Sequence, residues 1–511
     1  MSSPFNQQFW QVYQRFLSTP LITELSHPKT INHAQLAQKA PEIALRLLFS
    51  LDQEVLAQFR LLQPTLQGFN ATVNKVLQSG GRIWLVGCGA SARMCAQIEY
   101  LAHYNYPKTE QIQAVIAGGD IALIEAVEGC EDHPEYATKQ LEALGVQAQD
   151  LVLGLSASGE SPFILAAIAY AKDRCRQQPW LLYTNPRASL LQRNPKHILQ
   201  QKTCQGLELT VGPMALTGST RMQATTMMTL VLLQALFPSD VQLESLEEIL
   251  AQLPIPALSR FAEFEAQVYQ QQNYLCYYAP SAYALSVLAD TTERMPTFNV
   301  PKFEPKSTLG LLKSNSPAWT YFAVAEAHSE REAWQQLLLR TPRSLNWEEI
   351  PQTLSTYLQE FDLSPAYARE RALKLSPRPV FFVSIEAQGK DLVLSYEKAE
   401  QQQVITIPVA ELSLPMRQLL FRLILVNHST LVFGRLGFYR GNLMTHVKPS
   451  NFKLVDRAVR YIQFLAQNEF QCDLEYQSIA KRVLQLQTEY LDQGSIVEKV
   501  LAEQCSIQTR N

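Results

Sequence analysis

The sequence predicts an α/β protein built from two tandem copies of one unit, each a parallel sheet flanked by helices. N-terminal helices precede the pair and a C-terminal helical cap follows it. Three observations lead there. From Arg82 onward, short apolar runs alternate with amphipathic helices. From Asn273 a second, fainter round of that alternation begins. Both ends of the chain carry helical periodicity without strands. Strand–helix alternation places parallel strands beneath helices, with ligands at the carboxyl ends of the strands. A chain of 511 residues is too long for one core, so domains are expected over 1–254, 255–434 and 435–511.

Residues 1 to about 78 read as helical, with apolar positions at Ile43, Leu45, Leu47, Leu48 and Leu51. Strands are predicted at Arg82–Val86, Gln113–Ile116, Leu151–Leu155, Trp180–Tyr183 and Leu207–Val211, with helices starting near Ser91, Ile121, Ser161 and Gly218. The second round is predicted to start with a strand at Tyr274–Tyr278 and a helix at Ser281–Ala289. Strands at Val380–Ser384, Leu392–Tyr396 and Val404–Ile407 come later. Between them, Thr292–Pro317 is proline-bearing and polar and reads as a long ordered arm. From about residue 411 the chain reads as helical to its end.

Composition narrows the function. Hydrophobic residues make up 47%, and the formal net charge is −3, which gives no support to nucleic-acid or membrane-surface binding. The eight cysteines contain no CxxC pair, which argues against zinc and redox motifs and for free thiols in a reducing compartment. The first residues lack the basic-then-apolar pattern of a signal peptide. The longest apolar run, Met227 to Phe237, is too short to span a bilayer and fits a buried helix. A cytoplasmic location is expected. The histidines are isolated, none at metal-ligand spacing; no metal site and no cofactor are expected.

The chemistry gathers at three strand-to-helix turns. Ser156-Ala157-Ser158-Gly159-Glu160-Ser161 follows the apolar run Leu151–Leu155 and precedes a helix. Hydroxyls and unpaired helical N–H groups crowd such a turn, and the helix dipole is positive there, so it suits an anion such as a small phosphorylated molecule. Gly87-Cys88-Gly89-Ala90-Ser91-Ala92-Arg93 is a second turn, whose glycines permit close backbone approach to a ligand. Val211–Met222 is a third, adding the hydroxyls of Ser219 and Thr220 and the cation of Arg221. One such turn is commonly an ordinary helix cap; three in successive units of one sheet point to a site.

These stretches resemble the sugar isomerase (SIS) domain family, in the group of the N-acetylmuramic acid 6-phosphate etherases and the glucokinase regulatory proteins. Residues 81–93, Ile116–Asp120, Glu128–Asp132, Ser156–Phe163 and Thr217–Met222 carry the likeness, and so do Gly441–Met444 and Ser450–Ala458 far downstream. In the etherases the equivalent of that last segment closely follows the first domain; here about two hundred residues intervene, an architecture similar to the regulatory proteins. The resemblance implies a sugar-phosphate site with Gly89, Ser91, Ser156, Ser158 and Ser161 at the phosphate. Ser219, Thr220 and Arg221 would line it, Glu128 and Glu131 would face the sugar, and Lys453 would reach back from the cap. It also implies that two tandem SIS domains pack as an internal pseudo-dimer, which favours a monomer.

Three departures from the etherase pattern matter. The glutamate that serves those enzymes as acid falls at Leu101, with Glu99 two residues early, roughly 200° around the helix. Their lysine after the Ser-Arg-Met run is Gln223, and the threonine before Ser91 is Ala90. Glu160 also stands where the etherases have arginine, and a carboxylate there repels phosphate unless it points away or binds a sugar hydroxyl. Elimination of a lactyl ether needs one group to remove a proton and another to protonate the leaving oxygen. The expectation is therefore a sugar-phosphate-binding regulator or sensor. Its ligand would be a hexose phosphate or phosphorylated amino sugar, and a sugar kinase is a candidate partner. The alternative is an isomerase or lyase using Glu131 as catalytic base. A transcription regulator ranks below both, since the N-terminal helices show no basic recognition helix.

Overall fold

Two five-stranded sheets organise the chain. The computed structural model describes residues 4–107, 109–125, 127, 129–309, 317–489 and 494–508. Ahead of the first sheet lie the helices α1 (Pro41–Leu62) and α2 (Gln67–Gln78). α1 buries Ala44, Leu45, Leu48, Phe49 and Leu51 along one face, while Ile43 falls off that stripe and is 58% exposed.

The first sheet holds β1 (Ile83–Gly87), β2 (Ile112–Ile116), β3 (Leu151–Leu155), β4 (Trp180–Tyr183) and β5 (Gln205–Glu208), all parallel, in the order β2-β1-β3-β4-β5. Every residue of β1, β2 and β3 is buried, as expected for strands covered on both faces. The associated helices are α3 (Ala90–Asn105), α4 (Pro134–Ala143), α5 (Pro162–Arg174), α6 (Arg187–Arg193) and α7 (Gln223–Leu236). α7 holds most of the run Met227–Phe237 and is buried almost all round. Among the described residues no helix is long and apolar enough to cross a membrane.

The second half begins with α8 (Ile255–Gln270), β6 (Tyr274–Ala279) and α9 (Ser281–Phe298). It continues through β7 (Thr320–Val324), α10 (Glu330–Leu338), α11 (Pro365–Lys374), β8 (Val380–Gln388), β9 (Asp391–Lys398) and β10 (Gln401–Pro408) to the 22-residue α12 (Leu414–Arg435). Its sheet order is β10-β9-β8-β6-β7. β7, β6 and β8 are parallel; β9 and β10 continue from β8 as antiparallel hairpins. The hairpins follow from turn chemistry: Gly389, Ala399 and Glu400 have positive φ, as two-residue connections require. The C-terminal layer is α13 (Phe452–Phe470), α14 (Tyr476–Glu489) and α15 (Ile496–Gln508).

Several sequence expectations shift. The helix expected near Ile121 is one short 3₁₀ turn at Asp120–Leu123, held between Gly119 and the second half, and the real crossover helix is α4. The strand expected at Leu207–Val211 is Gln205–Glu208, registered against Trp180–Tyr183. Thr292–Phe298 is no loop: α9 continues through it, with Pro296 in its last turn. β7, a short apolar run after that arm, went unrecognised, and residues 310–316 lie outside the described residues.

The halves and the N-terminal helices share one core, and some polar groups are caught inside it. Asp52 of α1 is 5% exposed and accepts a 2.7 Å hydrogen bond from Asn427 of α12. Burial pushes its carboxyl up from 3.8 to about 7. A raised acid favours the folded state fully below pH 3.8, and that contribution disappears as pH rises through 7. Asp52→Asn keeps an acceptor for Asn427 without the charge. Its stability relative to wild type should therefore rise between pH 5 and pH 8.5, by roughly 2–4 kcal/mol. Urea midpoints at the two pH values measure this; an equal difference at both would refute a titrating Asp52.

Candidate functional site

The serine turn lies at the carboxyl end of β3, the middle strand of its sheet. Ser156 N–H donates to Leu182 O at 3.0 Å, which fixes the turn to β4. Ser156 Oγ accepts from Gly159 N–H at 3.0 Å, Ser158 Oγ accepts from Glu160 N–H at 3.2 Å, and the two hydroxyls are 3.4 Å apart. The hydroxyls thus satisfy the turn's own amides. Gly159 has φ of 76°, and a Cβ there would lie 2.7 Å from Leu190 Cδ1, so the turn requires glycine. Ser161 precedes α5, with Pro162 at the first helical position, where a missing N–H costs nothing. The Ser161 side chain touches Cys88 Sγ at 3.5 Å, joining the first and second turns. Ser91, on the first turn of α3, donates to Cys88 O at 2.9 Å and accepts from Cys88 N–H at 3.1 Å.

Glu131 faces this turn. Lys453 Nζ donates to its Oε1 at 3.2 Å and Asn451 Nδ2 to its Oε2 at 3.2 Å. Asn451 also caps α13, accepting from Leu454 N–H at 2.9 Å. One helix start therefore both positions Lys453 and holds the base candidate. Burial works to lower the Lys453 pKa, but the Glu131 carboxylate outweighs it and the ammonium stands above the ordinary lysine range. Asp132 is pushed up to about 6 by burial and by Glu131. Burial also pushes the Cys88 thiol well up, which removes it as a nucleophile.

The structure brings Ser91, Glu131, Ser156, Ser158, Ser161, Thr220 and Lys453 to the walls of one small pocket of about 30 Å³. Glu131, Thr220 and Lys453 also face a larger cavity of about 250 Å³, shared with Gly89, Ser219 and Arg221. Glu128 lies outside the described residues. Arg221 is not an uncommitted cation: it is 4% exposed, pairs with Asp290 at 3.3 Å, and donates to Ser429 and Thr430 at 3.2 Å. Its charge ties the third turn to the second half.

The departures from the etherase pattern also find their places. Leu101 is 2% exposed in the core. Glu99 is bound by Arg340 at 2.8 Å and Arg343 at 2.6 Å, both from the second half, and is a fastening rather than an acid. Gln223 Oε1 accepts from Ala215 N–H at 3.0 Å. Glu160 is engaged by Arg193 Nε and Nη2, at 2.9 and 3.2 Å, so its charge is neutralised by α6.

Sequence reasoning missed four contributors. Glu24 lines the serine pocket and pairs with Arg457 at 2.7 Å. That pair presses on Gly218, where a Cβ would lie 2.5 Å from Arg457 Nε. Arg193 is the second contributor. Glu293 and Lys302 of the second half are the others, on the wall of the larger cavity, where Glu293 pairs with Arg93 at 2.6 Å. No local pattern marks these residues, because their partners are distant in sequence.

Among the described residues the second sheet offers no equivalent of the serine turn: β8, the counterpart of β3, turns back into β9 rather than into a helix. At the start of α9, the counterpart of α3, Ser281 N–H donates to the Glu326 carboxylate at 3.1 Å. A side chain of the same half fills the place where an anion would bind.

Residues 67–172 match the family model described as the glucokinase regulatory protein N-terminal SIS domain. Over 217 residues the chain is 32% identical to the N-acetylmuramic acid 6-phosphate etherase of Geobacillus sp. (strain WCH70), covering 42% of this chain and 68% of that protein. It is 32% identical over 214 residues to the etherase of Pectobacterium atrosepticum, covering 42% of this chain and 66% of that one. With N-acetylmuramic acid 6-phosphate etherase 1 of Bacillus licheniformis it shares 37% identity over 155 residues, or 29% of this chain and 46% of the etherase. The chain thus spans between about half and two thirds of the length of these curated relatives. Among solved structures, the tagatose-6-phosphate ketose/aldose isomerase of Escherichia coli aligns at a TM-score of 0.40 and 12% identity, over 78% of this chain and 96% of that one.

Proposed function

Because the chain belongs to the sugar isomerase (SIS) domain family, in the group of the N-acetylmuramic acid 6-phosphate etherases and the glucokinase regulatory proteins, we propose that its cleft binds a phosphorylated amino sugar or hexose phosphate and acts on it as a lyase of the etherase type. The phosphate takes the serine turn, where Ser91, Ser156 and Ser158 trade their internal hydrogen bonds for phosphate oxygens and the start of α5 adds its dipole. The sugar extends past Thr220 into the larger cavity. Glu131 takes a proton from the sugar carbon next to the ether carbon, and the ether C–O bond breaks as the ring C=C forms. The lactate oxygen leaves with its charge paired to the Lys453 ammonium and is protonated by water. The observation that carries this reading is the Glu131–Lys453 pair, 3.2 Å apart on the wall of the serine pocket.

A second reading, a regulator that binds the same ligand without turning it over, draws on Leu101. No carboxylate stands where the etherases keep their acid, and the nearby Glu99 is consumed by two arginines. Incubating the full chain with N-acetylmuramic acid 6-phosphate and following lactate release separates the two. Release supports the lyase; binding without release supports the regulator; no binding of any sugar phosphate overturns both.

Ser158→Ala tests the phosphate end under either reading. A charge-assisted hydrogen bond is worth about 1.5–3 kcal/mol, so affinity should fall roughly ten- to a hundredfold. Isothermal titration with the best-binding sugar phosphate measures it, and unchanged affinity would remove Ser158 from the site.

A further inference from the structure

Three buried arginines meet where the first domain packs on the second half. Arg93 comes from α3, Arg221 from the third turn and Arg422 from α12; they are 6%, 4% and 6% exposed. Their side chains line a cavity of about 20 Å³ together with Asp290 and Glu293 of α9. Both carboxylates are already taken. Glu293 pairs with Arg93 at 2.6 Å, and Asp290 pairs with Arg221 at 3.3 Å and with Arg294 at 2.8 Å. Arg422 makes one side-chain hydrogen bond, from Nη2 to the carbonyl oxygen of Arg221 at 2.6 Å. Its Nη1 is buried without a hydrogen-bond partner, and so is Arg221 Nε. Among the described residues no carboxylate pairs with Arg422. Burial lowers its guanidinium from 12.5 to about 10, with Asp52 acting against this through space.

We propose that this cavity is a binding site for one small halide ion, chloride, held between Arg422 and Arg221. A buried charge is costly unless an opposite charge answers it. Water could accept from the free N–H groups but would leave the charge uncompensated. Size selects the ion: a water-sized sphere takes roughly 10–15 Å³ on this measure. The cavity therefore admits a single-atom anion and excludes phosphate and sugar phosphates. Such an ion joins α3, the third turn and α12, and so fastens the first domain to the second half. It lies behind the larger cavity of the cleft, with which its site shares Ala90, Arg93, Arg221 and Glu293, and apart from the serine turn.

The test uses the full chain. Crystals soaked in sodium bromide should show an anomalous peak in contact with Arg422 and Arg221. In solution, chloride replaces gluconate at constant ionic strength, since gluconate is too large to enter. A ligand of the folded state raises apparent stability, so the melting temperature should rise by a few degrees and level off as chloride saturates the site. Arg422→Met should lose both the peak and the chloride-specific rise. No bromide at the arginines, water alone in the cavity, or equal melting in chloride and gluconate overturns the proposal. The bromide map is read on wild type, so it decides even if the variant folds poorly. Neither measurement depends on whether the cleft binds or turns over a sugar.

Discussion

Glu131→Gln should lower turnover of N-acetylmuramic acid 6-phosphate by about 10²–10⁴ while affinity changes less than tenfold. The amide oxygen still accepts from Lys453 Nζ, so the cation stays on the wall of the serine pocket. The amide nitrogen then faces Asn451 Nδ2, which loses the 3.2 Å bond it donates in wild type. The phosphate end is untouched. What vanishes is the ability to accept a proton, and that loss appears in kcat rather than in binding. Full turnover in the variant would remove Glu131 from the base role and leave it a ligand contact. Absence of turnover in both forms, with tight binding in both, is the result the regulator reading requires.

Arg294→Met should destabilise the fold by roughly 3–5 kcal/mol, because it removes the arginine from buried Glu265 and leaves buried Asp290 with Arg221 alone. Arg294 is 1% exposed; it donates to Glu265 at 2.5 Å and to Asp290 at 2.8 and 3.0 Å. Glu265 also accepts from Tyr277 and His428 at 2.6 Å. Burial alone would raise the Glu265 carboxyl, but Arg294 and His428 overcome it and hold the group far below the ordinary range. A depressed acid stabilises above its unfolded pKa and loses that contribution as pH falls through its folded one, so wild type should weaken under acid. Adding Glu265→Gln to Arg294→Met should recover part of the loss. Urea unfolding measures both; a loss under about 1 kcal/mol for the single variant would show that the charges are not confined.

How far the sequence could be read follows from the range of each interaction. The serine turn was legible because strand, hydroxyls and helix start lie within a dozen consecutive residues. Glu131 and Lys453 came only through family resemblance; 322 residues separate them, and no periodicity links them. Glu24, Arg193 and Glu293 were illegible for the same reason. Their partners Arg457, Glu160 and Arg93 are set by how the N-terminal segment, α6 and α9 close around the first sheet. The 3₁₀ turn at Asp120 has the same origin: Arg340 and Arg343 from the second half engage Asp120 and so take over the local conformation. Continuation of α9 through Pro296 went unforeseen because Asp290 and Arg294, buried on its inner face, anchor the helix beyond the point where composition turns polar.

The hairpin that follows β8 bears on stoichiometry. A pair of identical subunits presents two equivalent seats, and filling one can alter the other. Here the strand that matches β3 is β8, which turns back into the antiparallel β9 and starts no helix, so among the described residues the second half has no counterpart of the serine turn. Titration should therefore saturate at one sugar phosphate per chain along a simple hyperbola. Any sigmoidal response would have to arise from association between chains rather than from the duplicated sheets.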